Sequence, residues 1–434
     1  MHYSARLIFT TMFAMSCAGS ALAQTALPDP ASTDPQALKW MQGFPPPADK
    51  IIMLQNGSNY QFPRTRWAFS HGRELGPTAN VWHGNAAVSA LPLALRSDID
   101  TVGFSDDKAQ PQTWAGMLNA TYTDSVLVLH KGKIVYERYF GITKPYLPHV
   151  AMSVTKSFVG TLAAMLAAEG KLNPSAPVTR YVPELKDSAY GDATVREVMD
   201  MTIGVKYSET YSDPKAEIWD YARAGGLLPL PAGYAGPHTY YDFLTGLKKE
   251  GEHGAAFAYK TVNAEVLGWI VRRASGSSLA DLMSERLWQK LGVENDAYFS
   301  VDRIGTEQGG GGLYLTLRDM ARFGEMMRLN GKFNGQQIVP EAAVKEIRQG
   351  GDPAKFAKAG YAPLAGYSYR DMWWVAHNAH QTYEARGIHG QRIYIDPAAE
   401  MVIVKFSSHP VAANGASDPV TYRAFAALAD FLMK

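Results

Sequence analysis

The sequence predicts an α/β fold of the α+β kind, with one antiparallel sheet flanked by helices and an inserted, mostly helical region. Two observations support this prediction. Runs of β-branched and aromatic residues that are typical of strands occur near both ends of the chain, at 125–137 and 391–406. Between them, apolar residues recur at helical spacing. Strands from the two ends of the chain therefore form a sheet around the helical middle.

The first residues have the pattern of a secretory signal peptide, which we assign to residues 1–23. Arg6 precedes an apolar run, and small residues end at Ala21-Leu22-Ala23. We predict cleavage after Ala23 and a periplasmic or secreted mature protein. Cys17, the single cysteine, would leave with this segment. A lipoprotein interpretation of Cys17 stays open, although residues 14–16 fit a lipid-attachment signal poorly.

Residues 24–113 are rich in Pro, Gly, Asn and Trp and contain few periodic runs. We therefore predict an extended arm of loops packed on the main body. Residues 114–434 are predicted to form that body as one domain, with the helical insertion at about 160–300. Its first strands are a hairpin at Ser125–Glu137, which turns at Lys131-Gly132.

The helical region begins at Ser153–Leu172, where Gly170 provides a C-terminal cap. A second helix starts at the capping box Thr194-Val-Arg-Glu197, in which hydroxyl and carboxylate satisfy free backbone donors. Further predicted elements are helices at 264–275, 279–291, 317–329 and 341–349, strands at 391–396 and 401–406, and a last helix at 419–433.

Composition excludes several classes of function. The 434 residues include 42 Lys and Arg against 41 Asp and Glu, so no basic surface for nucleic acid is expected. After the signal peptide, no apolar run is long enough to span a membrane. The glycine run Gly309–Gly312 lacks the Lys-Ser/Thr of a phosphate-binding loop, and no metal-ligand spacing such as H-E-x-x-H is present. We therefore expect no cofactor and no metal.

The clearest chemical feature is Met152-Ser-Val-Thr-Lys-Ser157 at the start of a helix. Ser153 and Lys156 are three residues apart, so they share one helix face and can touch. A serine hydroxyl becomes a strong nucleophile only when a base takes its proton, and a lysine becomes that base if burial lowers its pKa. Taken alone, this spacing is more often an N-capping serine followed by a surface lysine.

Two further stretches follow in order, Phe257–Gly268 with Tyr259 and Gly387-Ile-His-Gly-Gln391. Together the three resemble the S-x-x-K, Y-x-N and K-T-G elements of serine β-lactamases, penicillin-binding proteins and β-lactamase-fold esterases. Over most of the mature chain the sequence is similar to 6-aminohexanoate-dimer hydrolases, the nylon-oligomer amidases, and to related carboxylesterases. The matching stretches are Arg66–Phe69, 152–157, Tyr181–Leu185, Tyr211–Pro214, Val266–Val271 and 387–391.

The resemblance implies a β-lactamase/penicillin-binding-protein-like fold and specific roles. Ser153 would be the nucleophile, Lys156 would hold or receive its proton, and Tyr259 would relay the proton to the leaving group. The backbone N–H groups of Ser153 and Ile388 would form an oxyanion hole. Tyr211 corresponds to a tyrosine that contacts the leaving group.

His389 adjoins Ile388, but the nucleophile elbow of an α/β-hydrolase is missing around Ser153. We therefore interpret His389 as a structural or pocket-lining residue rather than a catalytic base.

Several positions depart from the family pattern. Thr261 stands where Y-x-N has Asn, and Ala385-Arg-Gly387 stands roughly where K-T-G would be, so good penicillin turnover is not expected. In nylon-oligomer hydrolases an acidic side chain receives the substrate amine, and that position falls at Ala222, with Asp220 the nearest carboxylate. An assisting Asn would fall near Gly310.

The leading hypothesis is a serine hydrolase of small esters or amides that acts through an acyl-enzyme on Ser153. Whether the substrate is an ester or an amide stays open, and the lost acidic contact slightly favours the ester. A DD-peptidase or β-lactamase is the weaker enzymatic alternative. A non-catalytic binding member of the fold is the alternative of another class, and retention of Ser153, Lys156 and Tyr259 argues against it. The sequence does not predict the oligomeric state.

Overall fold

The structure is a computed structural model that describes residues 27–434. The predicted signal peptide, its cleavage site and Cys17 lie outside the described residues. None of the described helices is long and apolar enough to cross a bilayer.

The strands of the described chain follow in sequence order. They are β1 Thr78–Val81, β2 Gly103–Ser105, β3 Pro111–Thr113, β4 Thr123–His130, β5 Lys133–Tyr139, β6 His149–Val150, β7 Ala297–Ser300, β8 Leu313–Leu315, β9 Lys332–Phe333, β10 Gln336–Gln337, β11 Ser368–Arg370, β12 Trp373–Val375, β13 Tyr383–Gly387, β14 Gln391–Asp396 and β15 Met401–Ser407.

The α-helices include both long and single-turn elements. They are α1 Thr65–Ala68, α2 Gly72–Leu75, α3 Trp114–Ala120, α4 Val154–Ala168, α5 Val195–Met199, α6 Glu217–Ala224, α7 Tyr240–Gly246, α8 Thr261–Ser275, α9 Leu279–Met283, α10 Gln289–Leu291, α11 Leu317–Arg328, α12 Glu341–Gln349, α13 Pro353–Ala357 and α14 Asp418–Leu432. A π-helical turn, Ser284–Trp288, joins α9 to α10 and interrupts the helix predicted at 279–291.

The main sheet has seven antiparallel strands in the order β11-β12-β13-β14-β15-β4-β5. The C-terminal strand β15 lies between β14 and the N-terminal strand β4, with Val404 opposite Leu127. The predicted α+β fold, with strands from both ends in one sheet, is confirmed. The capping box at Thr194 and Glu197 is also confirmed.

The sheet separates two hydrophobic cores. Leu127 and Leu129 of β4 face the core shared with α4 and α11, whereas Val126 and Val128 face the core under α3 and α14. This alternation is the two-residue period of a strand that is buried on both faces. Both sides of the sheet are therefore covered by helices.

A smaller sheet, in the order β1-β7-β8-β6, lies beside the main one. Its first strand comes from the segment predicted as an arm of loops, where Thr78 pairs with Ser300. Its last strand, β6, ends at Val150, three residues before Ser153. The small sheet thus fixes the chain that leads into the start of α4.

Candidate active site

Ser153 lies at the first turn of α4, where it is the N-terminal cap residue. Met152, immediately before it, has a φ of 48°, in the left-handed region that side chains disfavour. The Met152 side chain packs in a small cluster with Phe69 and Val150. This packing stabilises the unusual backbone, which places Ser153 on the wall of a cavity.

Lys156 is held by two neutral acceptors. Its Nζ donates to Ser153 Oγ over 2.8 Å and to the carbonyl oxygen of Gly310 over 2.6 Å. The residue is 1% exposed, and this burial lowers the pKa of Lys156 to about 8, although Glu209 and Glu265 oppose the shift. A substantial fraction of Lys156 is therefore neutral near pH 8 and can accept the Ser153 proton.

Tyr259 precedes α8 and approaches both partners. Lys156 Nζ lies 5.1 Å from the centre of its ring, and the Ser153 hydroxyl lies close enough to its hydroxyl to affect the pKa of the phenol. The ring packs against Trp374, with 5.4 Å between centroids. Burial raises the pKa of Tyr259 well above its usual value, so the phenol keeps its proton and can donate it. The structure thus brings together Ser153, Lys156 and Tyr259.

Glu265, which the sequence analysis did not single out, binds the glycine segment that Lys156 contacts. It is 1% exposed and accepts hydrogen bonds from Gly309 N at 3.0 Å, Gly310 N at 2.7 Å and Tyr221 Oη at 2.7 Å. Because the carbonyl of Gly310 accepts from Lys156, the carboxylate positions the acceptor of the lysine. The sequence signal was an acidic residue within the buried run 261–271 of α8.

Glu209 is a second carboxylate that the sequence analysis missed. Its Oε1 accepts from Tyr211 Oη at 2.7 Å and from Thr261 Oγ1 at 2.6 Å, and its Oε2 accepts from Thr261 N at 2.7 Å. Thr261, which replaces the Asn of Y-x-N, therefore binds a carboxylate. The role of Glu209 is hard to predict from the sequence, because its partner Thr261 is 52 positions away.

A cavity of about 610 Å³ opens beside Ser153. Its wall is mostly apolar and aromatic, and it includes Phe69, Leu75, Ile218, Trp219, Leu227 and Val411. Tyr211, Ile388 and His389, which the sequence predicts to be pocket residues, also line it. Lys156 does not line the cavity, but it donates a hydrogen bond to Ser153, which does. In the described part of the chain, the wall contains one carboxylate, Glu209, and no lysine or arginine.

Two backbone donors are available where the sequence predicts an oxyanion hole. Within residues 27–434, the N–H groups of Ser153 and Ile388 make no hydrogen bond to a backbone carbonyl. Ile388 packs against the cluster that contains Met152, so the two donors lie at neighbouring places on the wall. Asn414 Nδ2 donates to the carbonyl of Gly387 over 3.0 Å and holds the segment before Ile388 in place.

The contacts of His389 indicate a structural role rather than a role in proton transfer. Its Nδ1 contacts the carbonyl oxygen of His409 at 2.7 Å, and its ring packs edge-on to Phe69, 5.1 Å between centroids. Burial lowers the pKa of His389 to about 4, so the ring is neutral at ordinary pH. No hydrogen bond joins it to Ser153 in the described structure.

The structure shows what surrounds the positions that depart from the family pattern. Ala222 lines the cavity, whereas Asp220 is exposed and pairs with Arg223 at 2.9 Å. A Cβ on Gly310 would lie 2.6 Å from Thr261 Cγ2, so this position has no room for the side chain of an Asn. Ala385 is buried in β13 and brings no lysine to the site.

The sequence leads us to expect that the site holds no metal ion. Between residues 27 and 434, no cluster of three His, Cys, Asp or Glu side chains is arranged to hold a metal ion.

Comparison with known proteins identifies relatives of this arrangement. A family model described as Beta-lactamase matches residues 116–427. The chain is 36% identical over 349 residues to the 6-aminohexanoate-dimer hydrolase of Paenarthrobacter ureafaciens, covering 80% of this chain and 86% of that protein. It is 25% identical over 236 residues to esterase EstB of Burkholderia gladioli, covering 48% of this chain and 56% of the esterase.

Solved structures include a close match in shape. A Bacillus anthracis protein assigned as a 6-aminohexanoate-dimer hydrolase superposes with a TM-score of 0.81 at 33% identity, over 89% of this chain and 99% of that one. A class C β-lactamase in complex with cefoxitin gives a TM-score of 0.52 at 17% identity, over 72% and 95%. The second likeness concerns the fold alone.

Proposed function

This chain belongs to the beta-lactamase family and is a serine hydrolase, and we propose that it cleaves small, uncharged amides or esters through an acyl-enzyme on Ser153. The observation that carries the proposal is the buried hydrogen bond from Lys156 to Ser153 at the cavity wall. A nucleophile joined to a base of lowered pKa is the arrangement that acyl transfer requires.

In the first half of the reaction, Ser153 Oγ attacks the carbonyl carbon and neutral Lys156 takes its proton. The carbonyl oxygen becomes an oxyanion that accepts from the N–H groups of Ser153 and Ile388. Collapse of this intermediate breaks the bond to the leaving group. Tyr259 donates its proton to the departing nitrogen or oxygen and regains one from Lys156.

In the second half, water repeats the attack on the acyl-enzyme. Its proton passes to the same base, and the acid product leaves as Ser153 regains its hydrogen. Acyl transfer to serine and then to water changes no oxidation state, so neither half of the reaction needs a redox step.

The preference for uncharged substrates rests on the wall of the cavity. Burying an unpaired charge against apolar side chains is costly. The one wall carboxylate, Glu209, already accepts three hydrogen bonds, and the described wall offers no cation. The names of the amidase and esterase relatives support both amide and ester chemistry. The DD-peptidase alternative is less favoured, because Ala385 stands where the family pattern has a lysine that helps bind a substrate carboxylate.

The test compares wild type with Ser153→Ala on p-nitrophenyl butyrate and on the linear 6-aminohexanoate dimer. We expect the wild type to hydrolyse the ester and Ser153→Ala to lose at least about 1000-fold in kcat. Ser212→Ala is the matched control, because Ser212 also lines the cavity but does not bond to Lys156. It should keep its activity.

Equal activity of wild type and Ser153→Ala would remove the serine mechanism. If both proteins are inert and a fluorophosphonate does not label Ser153 in the wild type, the chain is a binding member of its family instead. Faster turnover of the zwitterionic dimer than of the ester would contradict only the preference for uncharged substrates.

A further inference from the structure

The turn that carries the Ile388 N–H has an unusual backbone. Strand β13 ends at Gly387, and His389, two residues later, has a φ of 62°, in the left-handed region. A residue in such a conformation keeps it only when the surrounding structure holds it there. The direction of the Ile388 N–H therefore depends on the contacts that its neighbours make.

A loop, residues 409–414, holds the chain on the C-terminal side of this donor. The backbone N–H of His389 donates to the carbonyl of Ala412 over 2.9 Å, and the carbonyl of His389 accepts from the N–H of His409 at 3.1 Å. Residues 410–413 of the same loop also line the cavity. The loop is thus both part of the cavity wall and a support for the turn.

Asn414, at the end of the loop, contacts the peptide group of the donor itself. Its Nδ2 donates to the carbonyl of Gly387 over 3.0 Å. That carbonyl and the N–H of Ile388 belong to one planar peptide group, so a fixed oxygen gives the N–H a fixed direction. The hydrogen bond also polarises the peptide group, which makes its N–H a stronger donor. The backbone of Asn414 is held in turn, because its carbonyl accepts from Ser417 N at 2.9 Å.

From this geometry we infer that Asn414 is a positioning residue of the oxyanion hole, which sets both the direction and the strength of the Ile388 N–H as a donor. The inference rests on the proposed function, in which this N–H binds the oxyanion. The benefit grows as negative charge develops on the substrate oxygen, so it belongs to kcat rather than to KM.

The experiment compares p-nitrophenyl butyrate with its thiono analogue, in which sulfur replaces the carbonyl oxygen. Sulfur is a weak hydrogen-bond acceptor, so the thionoester gains little from the oxyanion donors. In Asn414→Ala we expect kcat for the ester to fall about tenfold, less than the roughly 100- to 1000-fold cost of losing a donor outright. The kcat for the thionoester should change little, so the ester-to-thionoester ratio falls.

Asn414→Asp is a second variant of almost the same size. It presents a carboxylate, which can only accept, to the carbonyl of Gly387, so it should lower the ratio at least as much as Asn414→Ala. Asn414 is only partly buried, and we expect both variants to fold.

Asn378→Ala is the matched control. Asn378 Nδ2 donates to Thr382 Oγ1 at 2.9 Å in the loop before β13, at the opposite end of that strand from Gly387. The variant should keep the kcat and the ratio of the wild type.

An unchanged ratio in folded Asn414→Ala, or in Asn414→Asp if the first variant does not fold, overturns the inference. So does an equal fall of kcat for both substrates, which a general structural role would give, or an effect on KM alone. None of these results touches the proposed function, which fails only if Ser153→Ala remains active or the wild type is inert.

Discussion

Lys156 donates to two neutral oxygens in a site from which water is largely excluded. Burial penalises its charged form, while Glu209 and Glu265 favour that form from a distance. The balance is a pKa of about 8, which lies above the working range of most histidines and below that of free lysine. The residue can therefore act as a base near neutral pH and still return a proton.

A pH profile tests this role. The active form has neutral Lys156, so kcat/KM should rise as the pH increases and level off above about 8. Below that point the rate should fall about tenfold per pH unit. No second limb is expected near the usual pKa of histidine, because His389 is already neutral above about 4.

The measurement is ester hydrolysis from about pH 5 to pH 10, with Lys156→Ala in parallel. The residual rate of that variant should be lower by about 100- to 10,000-fold and should lack the limb. A limb of unchanged midpoint in Lys156→Ala would show that another group carries the proton.

At this scale, short spacing made part of the site predictable. Ser153 and Lys156 share one helix face, and Tyr259 follows in an ordered motif. Glu209 and Glu265 were not predicted from the sequence, because they act through contacts between distant segments. An example is the hydrogen bond between Glu265 and Gly310, which are 45 positions apart. Such contacts exist only once the chain has folded.

The end of β13 is the element that sets the second oxyanion donor. Gly387 approaches the start of α4 so closely that a Cβ there would lie 2.7 Å from the carbonyl oxygen of Ala151. Real Cβ atoms essentially never come so close to an oxygen, so backbone must move. The N–H of Ile388 would move with it.

We expect Gly387→Ala to lower kcat at least tenfold with little change in KM, because a misplaced donor weakens stabilisation of the transition state more than substrate binding. Steady-state kinetics on the ester would measure this. Gly415→Ala is the control, since a Cβ at Gly415 meets nothing within 4 Å. A KM effect alone in Gly387→Ala would argue that Ile388 binds substrate without holding the oxyanion.

Elements with a clear period were predictable, and those without one were not. The hairpin of β4 and β5 and the helices α4, α11 and α12 agree with the predicted ranges to within a few residues. The strands of the small sheet, however, have only two to four residues each. Two residues show no alternation, so β6, which leads into Ser153, had no sequence signal.

The C-terminal helix α14 covers one face of the main sheet and is joined to it by buried ion pairs. The N-terminal end of α14 places Asp418, 3% exposed in its side chain, between two guanidinium groups of the sheet. It accepts from Arg386 Nη2 at 2.6 Å and pairs with Arg392. Glu384 lies further off, at 3.7 Å from Arg386 and 3.6 Å from Arg392. The cluster is thus a buried network of two cations and two carboxylates.

Arg386 occupies the second position of the stretch that aligned with K-T-G, and its partner could not be predicted from the sequence. Its side chain points to α14 and stacks 4.8 Å from the Trp374 ring instead of binding a substrate carboxylate. The order of strands and helices was predictable from pattern, but the pairing of residues 386 and 418 depends on the register of the finished sheet.

Asp418→Ala should destabilise the protein by about 3–5 kcal/mol, because it leaves two buried guanidinium groups with a single distant carboxylate between them. Urea unfolding would measure this, and Asp430→Ala, an exposed acid on the same helix, should cost less than about 0.5 kcal/mol. Since α14 packs on the face of the sheet opposite α4, activity per folded molecule should stay near that of the wild type. Loss of activity without loss of stability would instead place this network in the catalytic machinery.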